Sequence, residues 1–220
     1  MFNNCDSRTN GELTFYKNIE PHINIIFDVG CRHDSEFFHF NGEVHYFDPV
    51  PAFIDSVKQN AHNKKGYFNP VGLSDKNEER WYYPKYQSFY DRIASCKHSD
   101  DANKVLFKTV TGKDYMNSNN LTVIDFLKID TEGHEFSVIK GFSEKLEDIK
   151  IIQFEYGGTF MDNNIKLVEV INYLREAGFS YFSYLTSSGC HKIVDFADHY
   201  QYCNIVCLNT KYPELLHTFA

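Results

Sequence analysis

The chain has 220 residues, enough for one sizeable domain with a full core, and no shift in composition divides it. With 42% hydrophobic and 24% charged residues and no apolar run near the ~20 residues of a membrane-spanning helix, it reads as an ordinary globular protein. A formal net charge of −8 argues against a broad phosphate-binding surface, and so against nucleic acid as a substrate.

Met1 to Asn18 is polar and lacks the apolar stretch of an export signal, which points to the cytoplasm. Leu13 to Ile19 has enough apolar residues for a small helix within this arm. The six cysteines, Cys5, Cys31, Cys96, Cys190, Cys203 and Cys207, show no CxxC pair or zinc-like spacing and read as reduced thiols. Cys203 and Cys207 would stand roughly 13 Å apart along one strand, too far to bridge. The 20 Phe, 15 Tyr and one Trp offer faces for a sugar ring or an adenine, although most must fill core.

From Ile23 the pattern changes. Ile23 to Gly30 reads as a buried strand running into Asp28 and a glycine that lets the backbone turn tightly. A helix N-terminus near Ser35 and Glu36 would then present free N–H groups to a carboxylate or phosphate. Val44 to Asp48 is a second strand ending in an acid, twenty residues after Asp28. An acid there is what nucleotide-binding α/β folds use on ribose hydroxyls. Pro51 starts a helix with Phe53, Val57 and Ala61 on its apolar face.

Gly66 to Val71 is a third strand leading into Gly72-Leu73-Ser74-Asp75, and Glu79 to Tyr83 pairs as a short antiparallel excursion. Pro84 to Asn103 has no clean period and reads as a surface loop or a lid. Lys104 to Thr111 is another strand, and Asn117 to Asn120 a turn. Val123 to Ile129 is a buried parallel strand that ends abruptly in Asp130-Thr131-Glu132-Gly133-His134-Glu135, with a short helix from Phe136 stopped by Gly141. The carboxyl ends of parallel strands are where ligands bind in open α/β sheets.

Ile149 to Glu155 is a further buried strand with an acid at its end. Asp162 or Asn163 caps a helix with Ile165, Val168, Ile171 and Leu174 on one face and Gly178 as its stop. Tyr181 to Leu185 and Tyr202 to Leu208 form a final strand pair joined by a polar loop through Ser187 to His191.

Four blocks, in this order, make the chain resemble a class I S-adenosylmethionine-dependent methyltransferase of the FkbM family. They are Phe27-Asp28-Val29-Gly30, Phe47-Asp48-Pro49-Val50-Pro51, Asn69 to Asp75, and Leu127 to Glu135, with Gly141 and Glu155 also matching. The resemblance covers Ile25 to Glu155. It implies a Rossmann-like, seven-stranded α/β sheet with a C-terminal antiparallel hairpin and helices on both faces. Residues 23–220 would form the methyltransferase domain behind an N-terminal arm, residues 1–22. The family's first turn continues with a small residue, Asn and a second glycine; here it reads Cys31-Arg32-His33-Asp34-Ser35.

The resemblance also implies S-adenosylmethionine as cofactor, held by Asp28, Gly30, Arg32, Asp48, Pro49, Gly72, Leu73, Ser74 and Asp130. Gly30 would approach the methionine part, Asp48 the ribose, and Gly72 with Leu73 the adenine. Arg32 is placed near the cofactor carboxylate, or in a surface ion pair. The implied reaction is O-methylation of a hydroxyl on a small molecule, nucleotide-sugar or glycan. A sugar hydroxyl is a poor acid and needs a base, a metal, or both. Asp130 and Glu155 are the pair that would hold Mg²⁺ or a similar hard cation. Without a metal, Glu132 or His134 is the candidate base, and Glu135 reads as a helix-capping acid. Two other classes stay open: an NAD(P)-dependent oxidoreductase, although GxGxxG is missing from the first turn, and a catalytically silent glycan-binding module.

Overall fold

The computed structural model describes residues 2–90 and 103–219. In chain order these fold as α1 (Glu12–Ile19), β1 (Ile25–Val29), β2 (Glu43–Phe47), α2 (Pro51–Asn60), β3 (Lys65–Asn69), β4 (Gly72–Ser74), β5 (Glu78–Tyr82), β6 (Val105–Thr111), α3 (Gly112–Ser118), β7 (Ile124–Ile129), α4 (Glu135–Gly141), β8 (Ile149–Tyr156), α5 (Gly158–Asp162), α6 (Leu167–Glu176), β9 (Phe179–Thr186), β10 (Gly189–Lys192) and β11 (Cys203–Asn209). The main sheet has eight strands in the order β10-β9-β11-β8-β7-β1-β2-β3. β3, β2, β1, β7 and β8 run parallel, and β11, β9 and β10 join antiparallel. This is the expected architecture with one strand more, because the segment read as a loop through Ser187 to His191 includes β10, which pairs back on β9.

Both faces of the sheet are buried, which is why the central strands read as near-continuous apolar runs. One face packs Phe27, Leu127, Ile152 and Phe154 against α4 and α6 through Val138, Val170, Ile171 and Leu174. The other packs Ile26, Val44, Phe126 and Ile151 against Phe15 and Ile19 of α1 and Ile54 and Val57 of α2. Each such fully buried side chain contributes about 1.5–3 kcal/mol. The arm therefore carries a helix that closes one of the two cores.

Several local expectations change. No helix follows β1: the Ser35 hydroxyl accepts from Phe37 N at 3.1 Å and donates to Asp28, and Asn63 satisfies the Phe40 carbonyl at 3.1 Å. Side-chain bonds of this kind give the backbone an alternative to a helix. β4 and β5 flank β6 in a separate three-stranded sheet. The turn expected at Asn117 overlaps the end of α3, whose first turn is capped by the Thr111 hydroxyl accepting from Asp114 N. Neither Asp162 nor Asn163 caps α6. Lys166 is its N-cap residue, Asp198 from a distant loop accepts the Leu167 N–H at 2.8 Å, and Val168 is 39% exposed. The five described cysteines are free thiols; Cys96 and most of the loop or lid, residues 91–102, lie outside the described residues. No helix among the described residues is long and apolar enough to cross a membrane.

Candidate functional site

β1, β2, β7 and β8 end side by side, so the acids at or beyond their ends gather at one edge of the sheet. Two turns meet there. Gly30 N donates to the Phe47 carbonyl at 2.8 Å, and Asp130 N donates to the Val29 carbonyl at 2.9 Å. Gly30 has φ +85, and a Cβ on it would overlap the Asp130 carbonyl oxygen. Only glycine lets the first turn pass this close to the acidic turn.

The acidic turn is locked from inside. Oε1 of Glu135 accepts from Thr131 N at 2.9 Å, Thr131 Oγ1 at 3.0 Å and Gly133 N at 3.1 Å. Asn163 donates to the Gly133 carbonyl at 2.8 Å, and the Ser88 hydroxyl donates to the Glu132 carbonyl at 2.7 Å. Glu135 is thus a structural acid, as expected, although it caps the turn rather than the helix. Burial pushes its carboxyl up to about 7 against the pull of those N–H donors.

Two cavities open on either side of Gly30, Arg32 and Asp130, which line both. The first is a narrow groove walled by Val29, Phe47, Pro49, Gly72, Leu73, Tyr82 and Phe89, with Asp48 and Glu132 as its other acids. Asp48 is held still: Oδ1 accepts from Val50 N at 2.9 Å and Oδ2 from Arg32 N at 3.2 Å. Burial raises its carboxyl to about 6, opposed by the Val50 and Arg32 N–H groups. The Nε of Arg32 is buried without a hydrogen-bond partner. An apolar groove that holds a fixed carboxylate and, close by, a guanidinium whose Nε has no partner suits a nucleoside bearing an anionic tail.

The second cavity is a polar chamber of about 340 Å³ lined by Asp28, Glu36 and Lys128, and by Cys5, Ser7, Glu12 and Tyr202 from the chain's two ends. Asp28 accepts from Ser35 Oγ at 2.6 Å, and burial drives it up to about 7. Lys128 was in the quoted motif but carried no role. Its Nζ lies 3.0 Å from Glu36 and 3.7 Å from Glu12. Burial pulls the ammonium down, yet Glu36, Glu12, Asp130 and Asp28 outweigh it and hold Lys128 charged. A lone lysine inside an apolar strand was the available sign, since buried lysines are nearly always paired.

Of the remaining expected residues, Glu155 is raised well above the usual carboxylate range, by burial first and by the charge of Asp130 next, and its buried Oε2 has no hydrogen-bond partner. Ser74 and His134 line neither cavity. They bond each other, His134 Nε2 to Ser74 Oγ at 3.0 Å, and His134 is driven down to about 3 by burial and by Arg80. Its ring packs on Phe89 at 5.1 Å, so it supports the groove wall from behind. Asp130 and Glu155 fall short of a hard-cation site, because among the described residues no group of three or more His, Cys, Asp or Glu side chains could hold one.

A parallel sheet with an antiparallel end, and a groove across the ends of β1 and β2, define a class I S-adenosylmethionine-dependent methyltransferase fold. The TehB-like S-adenosylmethionine-dependent methyltransferase of Corynebacterium glutamicum has this fold at 12% identity and a TM-score of 0.50, over 91% of this chain and 88% of that one. The model of the methyltransferase FkbM domain matches residues 28–181, and the chain belongs to that family. It is also 24% identical over 135 residues to the hexuronic acid methyltransferase AglP of Haloferax volcanii, across 60% of this chain. The match spans only 55% of that protein's length. Family membership sets the oxidoreductase alternative aside.

Proposed function

We propose that the chain is an S-adenosylmethionine-dependent O-methyltransferase acting on a hydroxyl of a sugar or glycan. The observation that carries this reading is the position of Asp130. It lines both the apolar groove and the polar chamber, and its charge acts on the buried Glu155 carboxyl.

The cofactor supplies an electrophilic methyl group on a sulfonium sulfur, which leaves as a neutral thioether. The chain does the rest. Leu73, Tyr82 and Phe89 would hold the adenine beside Gly72, Asp48 and Pro49 the ribose, and Arg32 the carboxylate of the methionine part, with Gly30 and Asp28 the other residues to hold that part. Asp130 would take the proton of the acceptor hydroxyl as its oxygen attacks, with the buried Glu155 carboxyl close enough to feel its charge. General-base help of this kind is worth about 10²–10⁴-fold. Glu132 orients the acceptor from the groove side. His134 and Ser74 are positioning residues. The Haloferax volcanii relative, by its name, supports a sugar as acceptor.

Calorimetry with S-adenosylmethionine and S-adenosylhomocysteine tests the cofactor assignment, and failure of both to bind would end it. Turnover across a panel of glycosides tests the acceptor class. Binding without transfer to any glycoside would place the chain with silent glycan-binding modules.

A further inference from the structure

The walls of the two cavities come from different parts of the chain. Every residue lining the groove lies within residues 28–181, the stretch that the family shares. The chamber borrows from outside it: Cys5, Ser7 and Glu12 precede that stretch, and Tyr202 follows it. The two flanks are tied together. Asn3 N donates to the Tyr202 carbonyl at 2.8 Å, and Tyr202 N donates to Asn3 Oδ1 at 2.9 Å. Glu12 is anchored in turn, accepting from Asn10 Nδ2 at 2.6 Å and from Gln153 Nε2 of β8 at 2.8 Å.

The chemistry of this wall is one-sided. Glu12, Asp28, Asp34, Glu36 and Asp130 face the chamber, against Arg32 and Lys128. Lys128 is shared by Glu36 and Glu12 and offsets one of their two charges, which still leaves that pair and Asp28, Asp34 and Asp130 in excess over Arg32. Arg32 is the remaining cation, and the reading above gives it to the cofactor's carboxylate. A carboxylate acceptor would need no base, but it would need a cation that this chamber has already used. The Ser7 and Tyr202 hydroxyls, with the acids as acceptors, match instead the alternating donors of an uncharged or aminated polyol.

Resting on the proposed methyl transfer, we propose that the flanking residues Ser7, Glu12 and Tyr202 form the acceptor-recognition wall, and that its surplus of carboxylates selects a neutral or amino sugar over one bearing a carboxylate. The acceptor class of this chain then differs from the one in the name of its Haloferax volcanii relative.

The test uses the full chain and three glycosides that differ at one carbon: the neutral hexoside, its amino counterpart and the matching uronide. The neutral or amino glycoside is expected to exceed the uronide in kcat/KM by about tenfold or more, since like charges brought together disfavour the wrong partner. Glu12→Gln is expected to narrow that gap while S-adenosylhomocysteine affinity stays within about twofold. Tyr202→Phe, which removes one hydroxyl and little volume, is expected to raise the acceptor KM with the same cofactor affinity. A uronide used as well as or better than the others overturns the proposal and leaves the methyltransferase reading standing, as does an unchanged gap in a folded Glu12→Gln. No transfer to any of the three, with cofactor bound, overturns both.

Discussion

Gly30 and Asp130 occupy adjacent turns so closely packed that the carbonyl oxygen of Asp130 fills the space where a Cβ of residue 30 would stand. The nucleoside groove and the polar chamber meet across this contact, so the spacing of the two turns sets the geometry of both. Gly30→Ala must combine a left-handed backbone, φ +85, with a steric overlap against backbone. It is expected to lower unfolding stability by about 1–3 kcal/mol or more. Thermal denaturation reads the loss, and weaker S-adenosylhomocysteine binding should accompany it.

Asp48→Ala removes the carboxylate that fixes Arg32 N and Val50 N and faces the groove. Hydrogen bonds to a charged group are worth about 1.5–3 kcal/mol, so affinity for S-adenosylhomocysteine should fall about tenfold to a hundredfold in calorimetry. Affinity equal to wild type would remove Asp48 from the cofactor site.

Asp130→Asn keeps the shape of the junction and removes its base. Turnover is expected to fall about 10²–10⁴-fold with cofactor affinity retained. Full activity in this variant would refute the proton-transfer role while leaving the fold untouched. Activity is also expected to survive exhaustive chelation, because no third His, Cys, Asp or Glu ligand joins Asp130 and Glu155 among the described residues.

Lys128→Met leaves Glu12 and Glu36 buried without their shared cation. Breaking a buried ion pair from one side costs about 3–5 kcal/mol, so this variant should melt well below wild type. Because Glu12 belongs to α1, limited proteolysis is expected to cut the N-terminal segment first.

The buried acids also set a pH dependence. Asp28, from 3.8 to about 7, and Glu135, from 4.5 to about 7, bind their protons more tightly folded than unfolded. Their contribution is full below the unfolded values and is lost as pH rises toward about 7, at up to roughly 1.4 kcal/mol per unit for each group. Stability of the apo protein should therefore decline between about pH 4.5 and pH 7. Asp28→Asn should flatten that slope in a series of thermal melts.

Much of the fold could be read from residue order. The parallel strands announced themselves as apolar runs ending in Asp48, Asp130 and Glu155, and glycine followed by acid marked the first turn. The missing helix after β1 could not be seen, because Ser35 looks like a helix start until Asp28 is known to take its hydroxyl. Asn163 looked like a cap for the same reason, yet its amide is spent on the Gly133 carbonyl thirty residues away.

The sequence by itself determined the sheet, its ligand-binding edge and the methyltransferase family, since these depend on local periodicity and on the types of residue at strand ends. Only the tertiary structure decided which acids line the cavities and which hold the scaffold. Glu135 turned inward onto backbone N–H groups, His134 paired with Ser74 outside both cavities, and Asp130 faced both. It also brought Glu12 and Tyr202, from opposite ends of the chain, to one chamber wall beside Lys128. Contacts of that range follow from how buried charges find partners across packed elements, which no local spacing records.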